Sequence, residues 1–188
     1  GLPAWAGLAL GLLALALQGY GAHALLHRSA LLWRVHAVHH SDVDFDCTTG
    51  FRFHPLEALY SSTVMLLVIA GAGIPPAAVA LYTTWLGLQN LYGHANARLG
   101  AALDTALRWL VVTPDMHRVH HSAQSDESNR NFGIVFPWWD RLFGTYRATP
   151  RHGHEGMPIG LGWRRHEGGL PELLLLPADT RVSGAPEP

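Results

Sequence analysis

The chain has 188 residues, 48% of them hydrophobic and only 14% charged, and a formal net charge of −1. That is enough for one domain with a sizeable core, and it carries far fewer charges than the roughly 25% of an ordinary soluble domain. Near-neutrality leaves no basic surface for a nucleic acid, and the single Cys47 excludes a disulfide framework, a Cys-rich zinc site and an iron–sulfur cluster. The 13 His equal in number the 13 basic residues, every one of which is Arg.

Residues 1–27 hold no acid, Lys or Arg and are dominated by Leu and Ala. About 20 apolar residues span a bilayer core, so residues 4–22 are expected to form a transmembrane helix. No basic leader precedes them, which separates them from a signal peptide. The chain begins with Gly rather than Met and reads as part of a longer one. The helix is expected to run on to His23 and His27, four apart and therefore on one face. Residues 31–40 are amphipathic, with His36, His39 and His40 at i, i+3 and i+4, again a single helical face. Asp42, Asp44 and Asp46 follow in a stretch that reads as a solvated loop, one of whose carboxylates has the option of orienting an imidazole. Arg52, His54, Pro55 and Glu57 belong to an ordered turn, in which His54 is read chiefly as a structural hydrogen-bonding residue.

From Ala58 to Ala97 there is no acid and no Arg, and the stretch is broken only by Pro75-Pro76. Paired prolines end one helix and start another, so 58–74 and 77–97 are expected to form a transmembrane hairpin. Its second arm delivers Gln89, Asn90 and His94 to the side on which it began. Over 99–112 apolar residues recur at helical spacing while Asp104 and Arg108 lie on the other side, the pattern of an interfacial amphipathic helix. Thr113-Pro114-Asp115 stops it and leads into His117-Arg-Val-His120-His121, a second copy of the word at 36–40. The aromatic run from Phe132 to Tyr146 suits a membrane–water interface, or a cap over a site. Residues 150–188 read as a Gly- and Pro-rich tail separate from a domain at 1–149, with disordered last residues. His152, His154 and His166 are read there as solvated. The Arg residues fall on the side that holds the His motifs, and the positive-inside rule puts that side in the cytoplasm.

His23, His27, His36, His39, His40, His94, His117, His120 and His121 make nine imidazole donors, and Asn90, one turn before His94, adds a weak tenth. One metal ion cannot use nine ligands; two ions with four or five each can. Zinc, iron and manganese all accept imidazole. All-nitrogen ligation without Cys, beneath apolar helices, favours iron and the oxidation of a lipid chain.

The ordered set His-x-x-x-His, His-x-x-His-His, a single His with Asn nearby, then His-x-x-His-His resembles the fatty acid hydroxylase/sterol desaturase superfamily. The segments LLWRVHAVHHSDVDFDCTTGFRFHPLE, NLYGHAN, TPDMHRVHHS and NFGIVFPWWDRLFGTY strengthen the resemblance, which covers roughly residues 20–147. It implies an all-α integral membrane bundle with a cytosolic His-rich cap holding two Fe ions, for which Zn can substitute in purified protein. The implied activity is O2-dependent hydroxylation or desaturation of a fatty acyl chain, sterol, carotenoid or alkylglycerol, in a bacterial inner membrane. Electrons would come from an external ferredoxin- or cytochrome-type donor, since the chain has no haem or flavin signature. Relative to the superfamily pattern the chain is short at its N-terminus by one or more membrane helices, and Asn90 stands where some members place a second His. A zinc-dependent membrane hydrolase, a haem-binding electron carrier and a non-catalytic metal carrier are the alternatives. The first wants a free carboxylate base, the second leaves seven His unexplained, and the third wants acids or His inside the spans.

Overall fold

A computed structural model describes residues 3–164 and 166–182. Among the described residues every regular element is a helix, with no strand beyond a lone bridge between Ser122 and Ile159. α1 (Ala4–Arg28) continues unbroken through His23 and His27, as the absence of Pro and Gly pairs in that stretch requires. Ser29 then turns the chain and caps α2 (Ala30–His36) by accepting the Leu32 N–H. α3 (Pro55–Ala72) and α4 (Pro76–Gly93) meet at the expected proline turn. Gly73 there takes the left-handed conformation (φ 60°) that closes α3, and Pro76 opens α4. α5 (Ala101–Leu107), α6 (Pro114–His120), α7 (Ser125–Ser128), α8 (Trp138–Leu142), α9 (Gly153–Gly156) and α10 (Leu170–Leu175) are short and lie around one end of these long helices.

α1 packs against both α3 and α4, which diverge from their shared turn instead of lying along each other. Leu15 and Ala16 of α1, Ile74 of the turn, Ala78 and Tyr82 of α4 and Val135 form the core of this packing. A close approach lies at Gly11, where a Cβ would come within 2.8 Å of the Ala78 Cβ and 3.0 Å of Ile74. Small residues at a crossing let two backbones draw together where no hydrophobic driving force separates helix from lipid.

α1 and α3 are each long and apolar enough to cross a membrane. α4 matches α3 in length but is diluted by Tyr82, Thr83, Thr84, Gln89 and Asn90, and does not reach the same apolarity. Leu59, Leu66 and Leu67 of α3 and Leu81, Trp85 and Leu88 of α4 point outward, and the one buried residue of α3 is its carboxylate, Glu57. α5 shows the same inversion. Asp104 and Arg108 are buried and paired at 2.6 Å, while Leu103, Trp109 and Leu110 are exposed. The expected amphipathic helix is present with its polar stripe against the protein.

The segment expected to be a tail folds back. Leu161, Leu176 and Val182 pack with Trp33, Ala37 and Val38 of the first His motif, and Arg34 donates to the Pro177 carbonyl at 2.7 Å. Short apolar runs spaced by Gly and Pro suffice to cover one small face, which composition alone does not reveal. The last residues, 183–188, lie outside the described part.

Gly11→Val should force α1 and α4 apart and cost about 1–3 kcal/mol, the usual penalty for overpacking. Its unfolding midpoint in detergent should fall accordingly; an unchanged midpoint would show that the helices do not pack this closely.

Candidate metal centre

The nine motif histidines are buried and fall into two groups, in each of which the candidate donor atoms all lie within 4.8 Å of one another. The first holds His23 and His27 from α1, His36 from the end of α2, His40, and His120 from the end of α6. The second holds His39, His94, His117 and His121. Each His-x-x-His-His motif is therefore divided. His36 and His40 serve the first group and His39 the second, whereas His117 and His121 serve the second group and His120 the first. The expectation of one shared face fails in both motifs, in the first where α2 ends at His36 and a 3-10 turn follows, and in the second where α6 runs through His120. Residues four apart still point the same way, and their neighbour between lies about 100° round the axis. The groups share a wall, with the His40 and His121 rings stacked at 4.5 Å.

Hydrogen bonds fix which nitrogen faces inward. The Nδ1–H of His23 donates to the Phe132 carbonyl, that of His94 to the Asn90 carbonyl and that of His120 to the Arg130 carbonyl, each at 2.8 Å. His36 Nδ1–H donates to Glu57 Oε1, also at 2.8 Å. In a neutral imidazole a protonated Nδ1 leaves Nε2 as a bare lone pair. Burial, the largest cause, holds His39, His40, His117 and His121 well below the usual imidazole value and takes His94 to about 4 and His120 to about 3. These six rings are thus neutral at pH 7.

The consequence is a crowd of lone pairs. His23 Nε2 faces His36 Nε2 at 3.2 Å. His94 Nε2 has the Nε2 atoms of His39 and His121 at 3.2 Å and that of His117 at 3.0 Å. One nitrogen cannot hydrogen-bond to three others, and the inward nitrogens of His40 and His120 are buried with no partner at all. Nitrogens that share one ion at a bond length of about 2.0–2.1 Å stand about 3 Å apart, so the donor set fits a metal in each group and is electrostatically unfavourable without one.

Aromatic rings close the walls. Phe132 lies on His27 and His120, Trp33 on His27 and His40, and Phe53 stacks on His39 at 4.9 Å. Phe45, buried and at φ 44°, covers His121 and His94. Asn131 also has positive φ, and its side chain ties the Met116 and Arg147 carbonyls together just before Phe132. Buried Asp140 accepts the Phe132 and Gly133 N–H groups and the Thr145 hydroxyl, and burial lifts its carboxyl to about 6.

Asn90 donates its side-chain amide to the Gly50 carbonyl, which leaves Oδ1 as its one donor for a metal. Of the loop acids, Asp42 is buried but accepts from Thr49 and lies by Arg52, and it makes no hydrogen bond to an imidazole among the described residues. The carboxylate that does orient a ring is Glu57, 21 residues from His36. An acid one turn inside an otherwise uncharged apolar helix is the signal that marks it. His54 caps α3 and reaches the Leu174 carbonyl, a structural role. His152 and His166 are exposed, and His154 lies 3.9 Å from Asp115.

A family model described as fatty acid hydroxylase matches residues 8–145, and the chain belongs to that family. It is 32% identical over 157 residues to an ornithine lipid hydroxylase of Rhizobium tropici, covering 82% of this chain and 45% of that protein. To the alkylglycerol monooxygenase of Homo sapiens it is 30% identical over 131 residues, 69% of this chain and 28% of that one. A very-long-chain aldehyde decarbonylase of Oryza sativa subsp. indica is 33% identical over 138 residues, 69% of this chain and 22% of its own. The chain thus spans less than half the length of each of these relatives. No solved structure gives a significant match.

Glu57→Gln keeps an acceptor for His36 but removes the charge. Loss of such a partner costs about 10–100-fold in metal affinity, so dialysis against a chelator should strip the His36 group first and leave one metal per chain. Retention of both metals would remove Glu57 from the site.

Acidification tests the neutral rings. Unfolded His titrates near 6.5 and the folded groups well below it, so between these values the unfolded state binds more protons. The metal-free protein should therefore lose stability as the pH falls from 7 to 5. A flat thermal midpoint over that window would mean that the imidazoles are exposed.

Proposed function

We propose that this chain is the site-bearing part of an integral membrane oxygenase that uses two irons, O2 and external electrons to hydroxylate or desaturate a lipid. The observation that carries the reading is the pair of buried His groups beside a cavity of about 430 Å3 lined mainly by apolar side chains of α1, α3 and α4. His23 and His36 of the first group and His39, His94 and His117 of the second all border it.

Group one would hold one iron through five imidazoles, group two the other through four. Bound there, the irons supply O2 activation and removal of hydrogen from an unactivated C–H bond. The protein's own part is positional. Glu57 and the carbonyls of Phe132, Arg130 and Asn90 aim the rings. Phe45, Phe53, Trp33 and Phe132 keep water from the wall they cover, and the cavity aligns an alkyl chain. The gap between the diverging α3 and α4 gives a lipid a lateral way in from the bilayer. The names of the relatives, ornithine lipid hydroxylase and alkylglycerol monooxygenase, denote lipid-oxidising proteins and support this choice of substrate class. Arg placement supports a cytoplasmic face for the His groups, where a ferredoxin- or cytochrome-type donor would reach them.

Protein purified from iron-supplemented cells should carry two irons per chain with a coupled diferric Mössbauer signal. Given O2 and a reductant, it should return a lipid with one added oxygen or two hydrogens fewer. His39→Ala should empty the second group and His120→Ala weaken the first, both abolishing product. Full activity in either variant, or one metal or none in well-folded wild type, would sink the proposal.

A further inference from the structure

Several polar groups that border the cavity are engaged by the protein. Gln89 donates to the Val112 carbonyl, Thr83 to the carbonyls of its own helix, and Glu57 accepts from His36. The Tyr82 hydroxyl is different. Tyr82 is 3% exposed, borders the cavity from α4, and its hydroxyl has no hydrogen-bond partner among the described residues. That hydroxyl lies against Gly19 of α1, where a Cβ would come within 2.7 Å of it. Next to Gly19, also at the cavity, the side-chain amide of Gln18 is equally without a partner.

The hydroxyl keeps its access to the cavity it borders, and polar groups within membrane helices tend to mark a substrate path. Phe would fill the same volume but offer the cavity no donor. The free groups here offer three donors, one O–H from Tyr82 and two N–H from Gln18, beside their own acceptor oxygens; the oxygens that interrupt lipid chains are acceptors and pair with the donors. Gly19 precedes His23 by one helical turn, about 6 Å along α1, so a group held at Tyr82 sits a short, fixed stretch of chain from the first His group.

We propose that the Tyr82 hydroxyl, flanked by Gln18, donates to an ester, amide or ether oxygen within the lipid substrate, so that the carbon delivered to the His groups is counted from that oxygen. This deepens the lipid-oxygenase reading and rests on it. The cavity then selects lipids interrupted by oxygen over plain hydrocarbon chains, and Gly19 is small because any side chain there would displace the hydroxyl.

The test is binding of a series of methyl hexadecanoates in which an ether oxygen replaces each methylene in turn, measured on iron-loaded protein without O2 or reductant. Wild type should bind one or two adjacent members about fivefold to tenfold more tightly than the parent ester, the worth of one hydrogen bond. Tyr82→Phe should lose that peak with iron content and melting temperature unchanged, and Gly19→Ala should blunt it. A flat series in wild type, or a peak that survives in Tyr82→Phe, overturns the acceptor site. Binding without positional preference would leave the lipid cavity standing, whereas no binding of any member would overturn both readings.

Discussion

Neutral imidazoles forced to face one another with bare lone pairs are the constraint on which the rest of the structure depends. Three nitrogens lie within 3.2 Å of His94 Nε2, and no arrangement of protons satisfies them all. A metal removes the conflict by turning repelling lone pairs into ligands. The surrounding fold must then hold nine rings against their own repulsion, and for four of them it does so through groups that bind the outward Nδ1: three backbone carbonyls and one carboxylate. Those acceptors also decide the tautomer, so the helices that carry them belong to the site as much as the ligands do.

The division of both His-x-x-His-His motifs follows from the same demand. Had each motif served one ion, the two halves of the centre could move apart as separate bodies. Each motif instead gives two rings to one group and one to the other, so α2 and its following turn are cross-tied to α6. Phe45 and Phe132, each covering a different group, close the opposite ends. Both lie at or next to a backbone position with positive φ, a strained conformation for a side-chain-bearing residue, which fits rings whose placement matters more than local comfort.

The histidines were legible in the sequence because helical spacing survives folding: residues four apart do share a direction, as His23 and His27 or His117 and His121 show. The proline turn was legible for an equally local reason. What was not legible depends on contacts between distant segments. Which of His36, His39 and His40 goes with which group depends on where the rings of α1 and α6 stand around them. Glu57 reaches His36 only because α3 starts beside α2, and the Phe132 carbonyl is 109 residues from the His23 it orients. The divergence of α3 from α4 was hidden as well, since paired prolines fix where a turn falls and not the angle between its arms.

The long helices and the cap obey a single rule of polarity once the direction of the apolar faces is considered. In a soluble domain Leu59, Leu66 and Leu67 would be core and Glu57 surface; here the carboxylate is buried and the leucines face out. α5 repeats the pattern with its inward Asp104–Arg108 pair and outward Leu103, Trp109 and Leu110. Surface of that kind is stable only against a medium as apolar as itself. A lipid environment on the outside would fit this polarity, because α3 would then give its apolar residues to the bilayer and only its first turn to the site. The His groups and the outer surface divide α3 between them, with its acid on the ring of His36 and its leucines turned outward.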